Sequence, residues 1–475
     1  MGSSSPQILL RKTTSENMNP NWEQVLDQFD QVMASGIDEA LQVDAMKKLA
    51  YLCNCVPEEI LNRTIPILAN VLDDNDSSNG LSWSVRQAAA CCLRRISCHG
   101  DGRLATEIGQ SGAIHSLLRL LPESDHDFQR VLVRCLWCAV TFGSENRVIV
   151  ATNGGLEIVV AMLNSCDEDT RKYLLEILSA LTLMREGRRV LSSLGGLRFL
   201  VEAARFGSMV SRERACQAIG LLGVRKRARH RLVELGVIPV LVELFRVGDS
   251  TTKLVVGNSL GVISAHVDYI RLVSEAGAIP LYAELLQGPD FIGKEIAEDV
   301  FCILAVAEEN AISIAEHLVG ILREGDDESK AVAADVFCGL SDYKHSIPVV
   351  RSSGAIPILV NLLRDGNVEV RERVSGAIAK LSYDEEDRVA LADAGAVPLM
   401  IEVLHDESEE LRDTATEALI NFYEDPSLQE RISAAIDDLS LQRMEMIRLH
   451  ASNEQMVRSL RRMFIEQLTW DPDLV

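Results

Sequence analysis

The sequence lacks the segments that direct a chain into a membrane. Aromatic residues make up only 5% of its 475 residues. No apolar run approaches the roughly 20 residues that a helix needs to cross a bilayer, and no charged-then-apolar signal segment opens the chain. We therefore expect a protein without a transmembrane segment, located in the cytoplasm, with the nucleus as a second candidate compartment.

Residue arrangements typical of catalysis are also missing. The nine histidines are scattered without a His-x-x-x-His pair, and the sequence has no glycine-rich phosphate loop and no nucleophile elbow. We therefore expect that the chain is not an enzyme and that it needs no cofactor and no metal.

Eleven cysteines are present, but their spacing indicates neither a metal site nor a disulfide framework. The single Cys-x-x-Cys pair, Cys135 and Cys138, lies inside an apolar stretch and has no second pair. Cys92 and Cys135 take equivalent positions in helices expected about 8 to 10 Å apart, beyond the roughly 7 Å limit for a disulfide. We expect buried thiols in a reducing compartment.

What the sequence does contain is repetition. The stretch from Gly354 to Glu424 gives nearly the same pattern twice, and its opening glycines, Gly354 and Gly395, lie 41 residues apart. In each copy apolar residues recur at helical spacing, stop at a polar turn and recur again. A period of about 40 residues is typical of a helical solenoid, whose units bury their apolar faces against neighbours. A short further helix, Glu386 to Ala392, is predicted to lie across the other two.

Two features of the repeat predict nine units. The first is a corner at which glycine allows a positive φ, although Arg63 and Ser313 replace the glycine in two units. The predicted glycine corners are Gly112, Gly155, Gly196, Gly236, Gly277, Gly354 and Gly395. The second is a cation near the start of each last helix, at Arg86, Arg130, Arg171, Arg212, Lys253, Lys294, Lys330, Arg371 and Arg412.

The repeats divide the chain into four predicted parts. Residues 1–19 are polar and expected to be disordered, and residues 20–56 are expected to form N-terminal capping helices. Residues 57–430 hold the nine units, and residues 431–475 are predicted to form a C-terminal capping helix and tail. The alternative for that last helix is a detachable segment that competes with partners.

The unit Gly-Ala-Ile-Pro-x-Leu-Val-x-Leu-Leu, followed by Val-Arg-Glu, resembles the armadillo repeat, and its details look like plant armadillo proteins. The resemblance implies an all-α, right-handed superhelical solenoid, capped at both ends, that binds extended segments of other proteins in a concave groove. Some plant relatives carry a U-box, but residues 1–56 lack its Cys-Pro-Ile opening. Import receptors of this family hold basic peptides with a row of Trp and Asn side chains on the last helices of their repeats. Among the equivalent positions of this chain, only Asn421 carries the expected residue.

Charge is distributed unevenly along the chain. The net charge of -23 disfavours direct binding of nucleic acid. Yet residues 171–231 hold 14 Lys or Arg and only 4 acids, whereas residues 384–430 hold 15 acids and only 2 cations. We predict that the basic middle receives an acidic or phosphorylated segment and that the acidic end receives a basic one. The alternative is solvated surface that keeps a long molecule soluble.

Candidate contact residues follow from these two regions. On the basic side they are Arg171, Arg212, Arg214, Arg225, Lys226, Arg227 and Arg229. On the acidic side they are Asp384, Glu385, Glu386, Glu409, Glu410 and Asn421. Arg212 and Arg214 are preferred because they open a last helix, which lines the groove in armadillo arrays. The run from Arg225 to Arg231 is predicted to lie in a loop between repeats, and it also resembles a nuclear-localisation cluster.

The sequence therefore predicts an adaptor that binds other proteins and carries out no chemistry. A different class of function would be a substrate-selecting subunit of a ubiquitin-ligase complex, and a third would be an importin-like carrier. The identity of the partner and the oligomeric state do not follow from these residues.

Overall fold

The protein is all-helical in the computed structural model, which describes residues 21–35, 38–73 and 82–435. These residues contain α-helices and short 3-10 turns and no β-strand. They form two compact units that divide after Leu222. The segment 1–19 and the predicted C-terminal helix from residue 436 onward lie outside the described residues, and the four-part division of the chain stays a prediction.

The first unit begins with four helices of 14 to 16 residues and continues with pairs of shorter helices, each pair followed by a long helix. They are α1 Trp22–Ser35, α2 Glu39–Leu52, α3 Glu58–Asp73, α4 Trp83–Ser97, α5 Ala105–Gln110, α6 Ala113–Leu120, α7 His126–Phe142, α8 Ser144–Thr152, α9 Gly155–Leu163, α10 Glu168–Leu181, α11 Arg185–Ser193, α12 Leu197–Phe206 and α13 Met209–Gly223, which ends at the division.

Most of the second unit follows the same order of two shorter helices and one long helix. Its helices are α14 Lys226–Glu234, α15 Val237–Val247, α16 Ser250–Ser264, α17 Val267–Glu275, α18 Ala278–Leu286, α19 Phe291–Leu304, α20 Glu308–Glu324, α21 Asp327–Leu340, α22 Ser346–Ser352, α23 Ala355–Asp365, α24 Val368–Leu381, α25 Glu385–Asp393, α26 Ala396–Val403, α27 Glu409–Phe422 and α28 Pro426–Ala435.

Most repeats consist of a short first helix, a second helix and a long third helix. The third helices stack on one another, α4 on α7 and α7 on α10 in the first unit, and α16, α19, α21, α24 and α27 in sequence in the second. The same positions are buried each time: Ala377, Ile378 and Leu381 of α24 are at most 1% exposed, as are the residues 41 positions before and after each of them. The core therefore continues from repeat to repeat, as a solenoid requires.

Left-handed glycines form the corners between first and second helices, as predicted. Gly354, for example, has φ 80° and precedes α23, and Gly395 has φ 87° and precedes α26. The same conformation occurs at Gly112, Gly236 and Gly277. Side chains with a Cβ atom rarely adopt it, because the Cβ crowds the following carbonyl oxygen.

Two predicted corners are wrong by one residue. The positive φ belongs to Gly154 and Gly195, at 73° and 66°, and not to Gly155 and Gly196. The second glycine of each pair is needed for space, because a Cβ on Gly155 would lie 2.3 Å from the side chain of Val150. With this correction, the corners from Gly154 to Gly195, Gly236 and Gly277 follow at a constant 41 residues.

The two units without a corner glycine have no corner. Ser313 lies within the continuous 17-residue helix α20, and Arg63 lies within the continuous 16-residue helix α3. Without a residue that favours positive φ, the backbone continues as a helix, so the first and second helices merge.

Third helices begin in a common way. An Asp, Asn or Ser side chain caps the helix, as Asn367 does by accepting the N–H of Val370 at 2.9 Å. In three repeats an arginine four positions after the cap reaches back to the preceding helix, as Arg371 does by donating to the carbonyl of Leu363 at 3.2 Å. These arginines supply partners to carbonyl groups that a helix C-terminus leaves unpaired. Lys294, at the same position of α19, instead donates forward to the hydroxyl of Ser329 at 3.2 Å.

In α7 the cation of the predicted row lies near the start of the helix, as predicted, but does not make the backward contact. Arg130 is the fifth residue of α7, and Gln129 makes the backward contact instead, donating to the carbonyl of Leu121 at 3.1 Å. The reason is the cap: Asp125 accepts the N–H of Phe128 at 2.8 Å, which fixes the contact position four residues after Asp125. Arg130 is consequently not used in this contact.

No single helix in the described residues is long and apolar enough to cross a membrane. Two bent pairs, α8 with α9 and α22 with α23, reach the necessary length and composition only when taken together.

The corner can be tested with two glycines that differ only in backbone conformation. A Cβ on Gly354 or on Gly376 would meet nothing within 4 Å, but only Gly354 has a positive φ. Gly354→Ala should lower the free energy of unfolding by about 1 kcal/mol, whereas Gly376→Ala, inside α24, should raise it by about 0.5 kcal/mol. Urea unfolding of the full chain measures both, and equal effects would contradict the role of the corner.

Candidate partner-binding faces

Two of the predicted basic contacts, Arg171 and Arg212, are hydrogen-bonded to other parts of the chain. Arg171 donates to the carboxylate of Glu202 at 2.5 and 2.7 Å and to the carbonyl of Leu163 at 2.7 Å. Arg212 donates to the carbonyl of Ala204 at 3.1 Å. Both side chains therefore have a structural role, and their use in partner binding stays a prediction.

Arg214 lies on α13 with its side chain half-buried, close to Arg147 of α8. Burial lowers the pKa of Arg147, and the positive charge of Arg214 lowers it further. An anion between two such cations would reduce their repulsion. Arg214 thus stays a reasonable candidate contact.

The basic run from Arg225 to Arg231 lies on a helix, which corrects the predicted loop. Arg225 precedes α14, and Ala228 and Leu232 are buried four residues apart, so one face of the run packs on the core. Arg225, Lys226 and Arg227 are exposed, and Arg229 is half-buried. The candidates from Arg225 onward belong to the second unit, and the earlier ones belong to the first.

Arg351 of α22 binds three acids at the start of α25. It donates to Asp384 at 2.7 Å and to Asp387 at 2.5 Å, and it also contacts Glu386. Burial raises the pKa of Asp387 to about 6, although Arg351 opposes that effect. Two predicted acidic contacts, Asp384 and Glu386, are thus bound within the chain, while Glu385 is exposed.

The remaining acidic candidates lie on α27. Glu409 and Glu410 are exposed in its first turn, where the helix dipole favours negative charge. Asn421 is only 7% exposed, and its amide donates to the hydroxyl of Ser382 at 2.8 Å. Asn421 therefore joins α27 to the end of α24.

The structure brings together a second group of basic residues that the sequence did not single out. We define the basic third-helix face as Arg130, Arg134 and Lys172 with the aromatic residues Trp137 and Tyr173, on α7 and α10. The guanidinium of Arg134 lies 5.1 Å from the ring centre of Tyr173, and the ammonium of Lys172 lies 5.3 Å from it. Trp137 meets the same ring edge-on at 5.2 Å. Cation–π contacts of this kind position cations without neutralising them.

A cavity of about 360 Å³ opens beside this face, with Trp137, Lys172 and Tyr173 in its wall. The wall also holds three carboxylates: Glu168 is exposed, Glu202 is paired with Arg171, and Glu176 accepts the backbone N–H of Ser208 at 3.3 Å. The indole N–H of Trp137 is buried and has no acceptor among the described residues. The cavity thus offers hydrogen-bond donors and an aromatic wall.

The second unit carries an acidic counterpart, the acidic third-helix face, which we define as Glu298, Asp299, Asp335 and Asp342 on and next to α19 and α21. Burial, followed by the charges of Asp335 and Asp299, raises the pKa of Glu298 to about 7. Burial also raises the pKa of Asp335 to about 6. Two cations lie nearby: Arg373 is 3.5 Å from Asp335, and Lys380 is 2.6 Å from Asp342.

Neither face is arranged as a metal centre. Among the described residues, no group of three or more His, Cys, Asp or Glu side chains is placed to hold a metal ion. On the basic face Arg130 pairs with Asp167 at 3.5 Å and Lys172 pairs with Asp169 at 3.7 Å, and all four side chains are more than a third exposed. The two faces can bind segments of opposite charge, because each presents several like charges.

The comparisons with known proteins identify the repeat. The Armadillo/beta-catenin-like repeat family matches residues 344–383, which comprise α22, α23 and α24. The sequence matches none of the curated proteins. The family match therefore covers a single repeat.

Solved structures extend the likeness to most of the chain. A crystal structure of an engineered protein, a Northeast Structural Genomics Consortium target, is 22% identical and covers 85% of this chain and 99% of its own, with a TM-score of 0.61. A structure titled "A conserved phosphorylation switch controls the interaction between cadherin and beta-catenin in vitro and in vivo" is 17% identical and covers 84% of this chain and 83% of its own, with a TM-score of 0.60. The chain contains an armadillo repeat and has the all-α solenoid fold of armadillo-repeat proteins. The predicted resemblance to the armadillo repeat and the predicted all-α solenoid class are thereby confirmed, and the likeness to plant armadillo proteins stays a prediction.

The acidic third-helix face predicts a pH dependence of stability. The folded-state pKa of Glu298 is raised, so this side chain contributes most to the free energy of unfolding at pH values below its pKa in the unfolded chain. That contribution is lost as the pH rises through about 7. Glu298→Gln should therefore raise the free energy of unfolding at pH 8 by on the order of 1 kcal/mol, with a much smaller effect at pH 5.

Urea unfolding of the full chain at both pH values measures this difference. Glu316→Gln is the matched control, because Glu316 is exposed on the neighbouring helix α20. The prediction fails if the two variants show the same change from pH 5 to pH 8.

Proposed function

We propose that this chain is a non-catalytic scaffold that binds an extended acidic or phosphorylated segment of another protein across the basic third-helix face. The observation that carries the proposal is the placement of Arg134 and Lys172 over the same tyrosine ring. We place this binding in the cytoplasm, with the nucleus as a second candidate compartment. The acidic third-helix face would take a basic segment in the same way.

An anion at this face would gain charge-assisted hydrogen bonds. A carboxylate or phosphate near Arg134 can accept guanidinium N–H groups, and Lys172 adds a second positive charge. Arg130 pairs with Asp167 at 3.5 Å, and both side chains are more than a third exposed. Exposed pairs of this kind contribute little to stability, so a partner's anion can replace Asp167 at small cost.

The repeat spacing suits an extended segment. Stacked helices lie about 8 to 10 Å apart, which about three residues of extended chain span. A segment that passes from α7 over α10 to α13 would meet Arg134, Lys172 and Arg214 in turn. Tyr173 and Trp137 would supply the apolar contact that anchors such an interface.

Two other functions would use the same fold. A substrate-selecting subunit of a ubiquitin-ligase complex would bind its substrate on this face and would also co-purify with ligase components. An importin-like carrier is disfavoured, because the amide of Asn421, the one match to the family's ladder, is bound to Ser382.

A peptide-binding measurement tests the proposal. The probe is a fluorescein-labelled decapeptide of alternating glutamate and phosphoserine, added to the full chain at moderate salt. Replacing Arg134 and Lys172 together with glutamate should weaken binding at least tenfold, because each charge-assisted hydrogen bond contributes about 1.5 to 3 kcal/mol. Fluorescence anisotropy gives the Kd.

The matched control replaces Arg246 and Arg364 with glutamate, which makes the same change in charge on the second helices α15 and α23. Thermal unfolding establishes first that both variants fold like the parent chain. An equal loss of binding in both variants would show non-specific attraction and would overturn the proposal. A Kd that does not change in the Arg134 and Lys172 variant would overturn it as well.

A further inference from the structure

Two cysteines of the first unit lie in direct contact across neighbouring repeats. Cys98 follows the last residue of α4, and Cys138 lies in the second half of α7. Their sulfur atoms are 3.1 Å apart. A disulfide needs about 2.05 Å between sulfurs, so a closure of about 1 Å would join them.

The two thiols differ in their exposure to solvent and in the direction in which their pKa is shifted. Cys98 is exposed, whereas Cys138 is only 1% exposed. The hydrogen bond from Cys138, with smaller contributions from Ser97, Arg94 and Arg95, lowers the pKa of Cys98 to about 6, although burial opposes this. The same contact raises the pKa of Cys138. An exposed thiolate therefore faces a protonated thiol, an arrangement typical of a reactive cysteine beside a resolving one.

The other cysteines differ in one of these two respects. Cys92 and Cys135 are fully buried, and burial raises the pKa of both thiols. Cys55 is exposed, as Cys98 is, but no second sulfur contacts it in the described part of the chain. Reagents in solution can therefore reach Cys55, but only Cys98 combines exposure with a neighbouring thiol.

We propose that Cys98 and Cys138 are a redox modification site, at which a hydroperoxide converts the two thiols into a disulfide that links α4 to α7. The Cys98 thiolate attacks the terminal oxygen of the peroxide and takes up its OH group, the O–O bond breaks, and an alkoxide or hydroxide leaves. The leaving group takes a proton from solvent, which replaces the proton that Cys98 released on ionising, and becomes an alcohol or water. Cys98 is now a sulfenic acid. The sulfur of Cys138 then attacks the sulfur of Cys98, loses its proton, and displaces hydroxide, which leaves as water. In total two thiols are oxidised by two electrons and one peroxide is reduced.

The disulfide would lie near the basic third-helix face, because Cys138 follows Arg134 by four residues, about one helical turn, on α7. It would close a loop between adjacent repeats and restrict their separation. The inference does not depend on what that face binds, because the chemistry involves only the two cysteines and the peroxide.

Peptide mapping of the oxidised full chain tests the proposal. The reduced protein is treated with one equivalent of hydrogen peroxide, its remaining thiols are blocked with N-ethylmaleimide, and it is digested without reductant. We expect an intramolecular Cys98–Cys138 linked peptide as the main product and a mass loss of 2 Da in the intact monomer. In Cys138→Ser the same treatment should leave Cys98 as a sulfenic acid that dimedone traps.

Cys55→Ser is the matched control, because it removes the other exposed cysteine and should leave the yield of the linked peptide unchanged. Cys98→Ser should abolish that peptide without lowering the Tm. Oxidation of wild-type Cys98 beyond sulfenic acid without a link to Cys138 would overturn the proposal. A main product that joins two copies of the chain, or that pairs another cysteine, would overturn it too.

Discussion

Burial of the same apolar positions on successive third helices is the constraint on which the rest of this structure depends. Ala377, Ile378 and Leu381 have counterparts 41 residues away on both sides, and all of them are essentially excluded from water. No repeat can bury these side chains alone, so each repeat needs its neighbours. In most repeats the glycine corner and the helix cap position the third helix so that this burial recurs, and in three repeats an arginine that reaches back to the preceding helix adds a further contact.

Much of the fold could be predicted because that constraint is periodic. The 41-residue step, the corner glycines and the cation near each third helix all recur in the sequence. The errors arise where two residues compete for one role. In the pairs Gly154–Gly155 and Gly195–Gly196, one glycine supplies the positive φ and the other supplies space, and sequence spacing does not separate these roles.

The candidate site could be predicted less well, because charge was summed along the chain and not by position on a helix. Arg171 and Arg212 contribute to a basic stretch, yet their guanidinium groups satisfy carbonyls of the preceding helices. Arg134 and Lys172 come from two repeats, and only the packing of α7 on α10 brings them to one ring. Comparing residues at the same helix position in neighbouring repeats would have indicated the acidic face, because Asp299 and Asp335 lie equally far from the caps of their helices. The same comparison would have missed the basic face, because Arg134 and Lys172 lie at different distances from their caps.

The merging of first and second helices in α20 has a consequence for local motion. A nine-residue helix such as α17, bounded by the left-handed Gly277, can lose its hydrogen bonds without disturbing the helix after the corner. The 17 residues of α20 share one continuous ladder, so opening its first half breaks bonds that hold its second half. We expect amide hydrogens in the first half of α20 to exchange with solvent more slowly than those of α17.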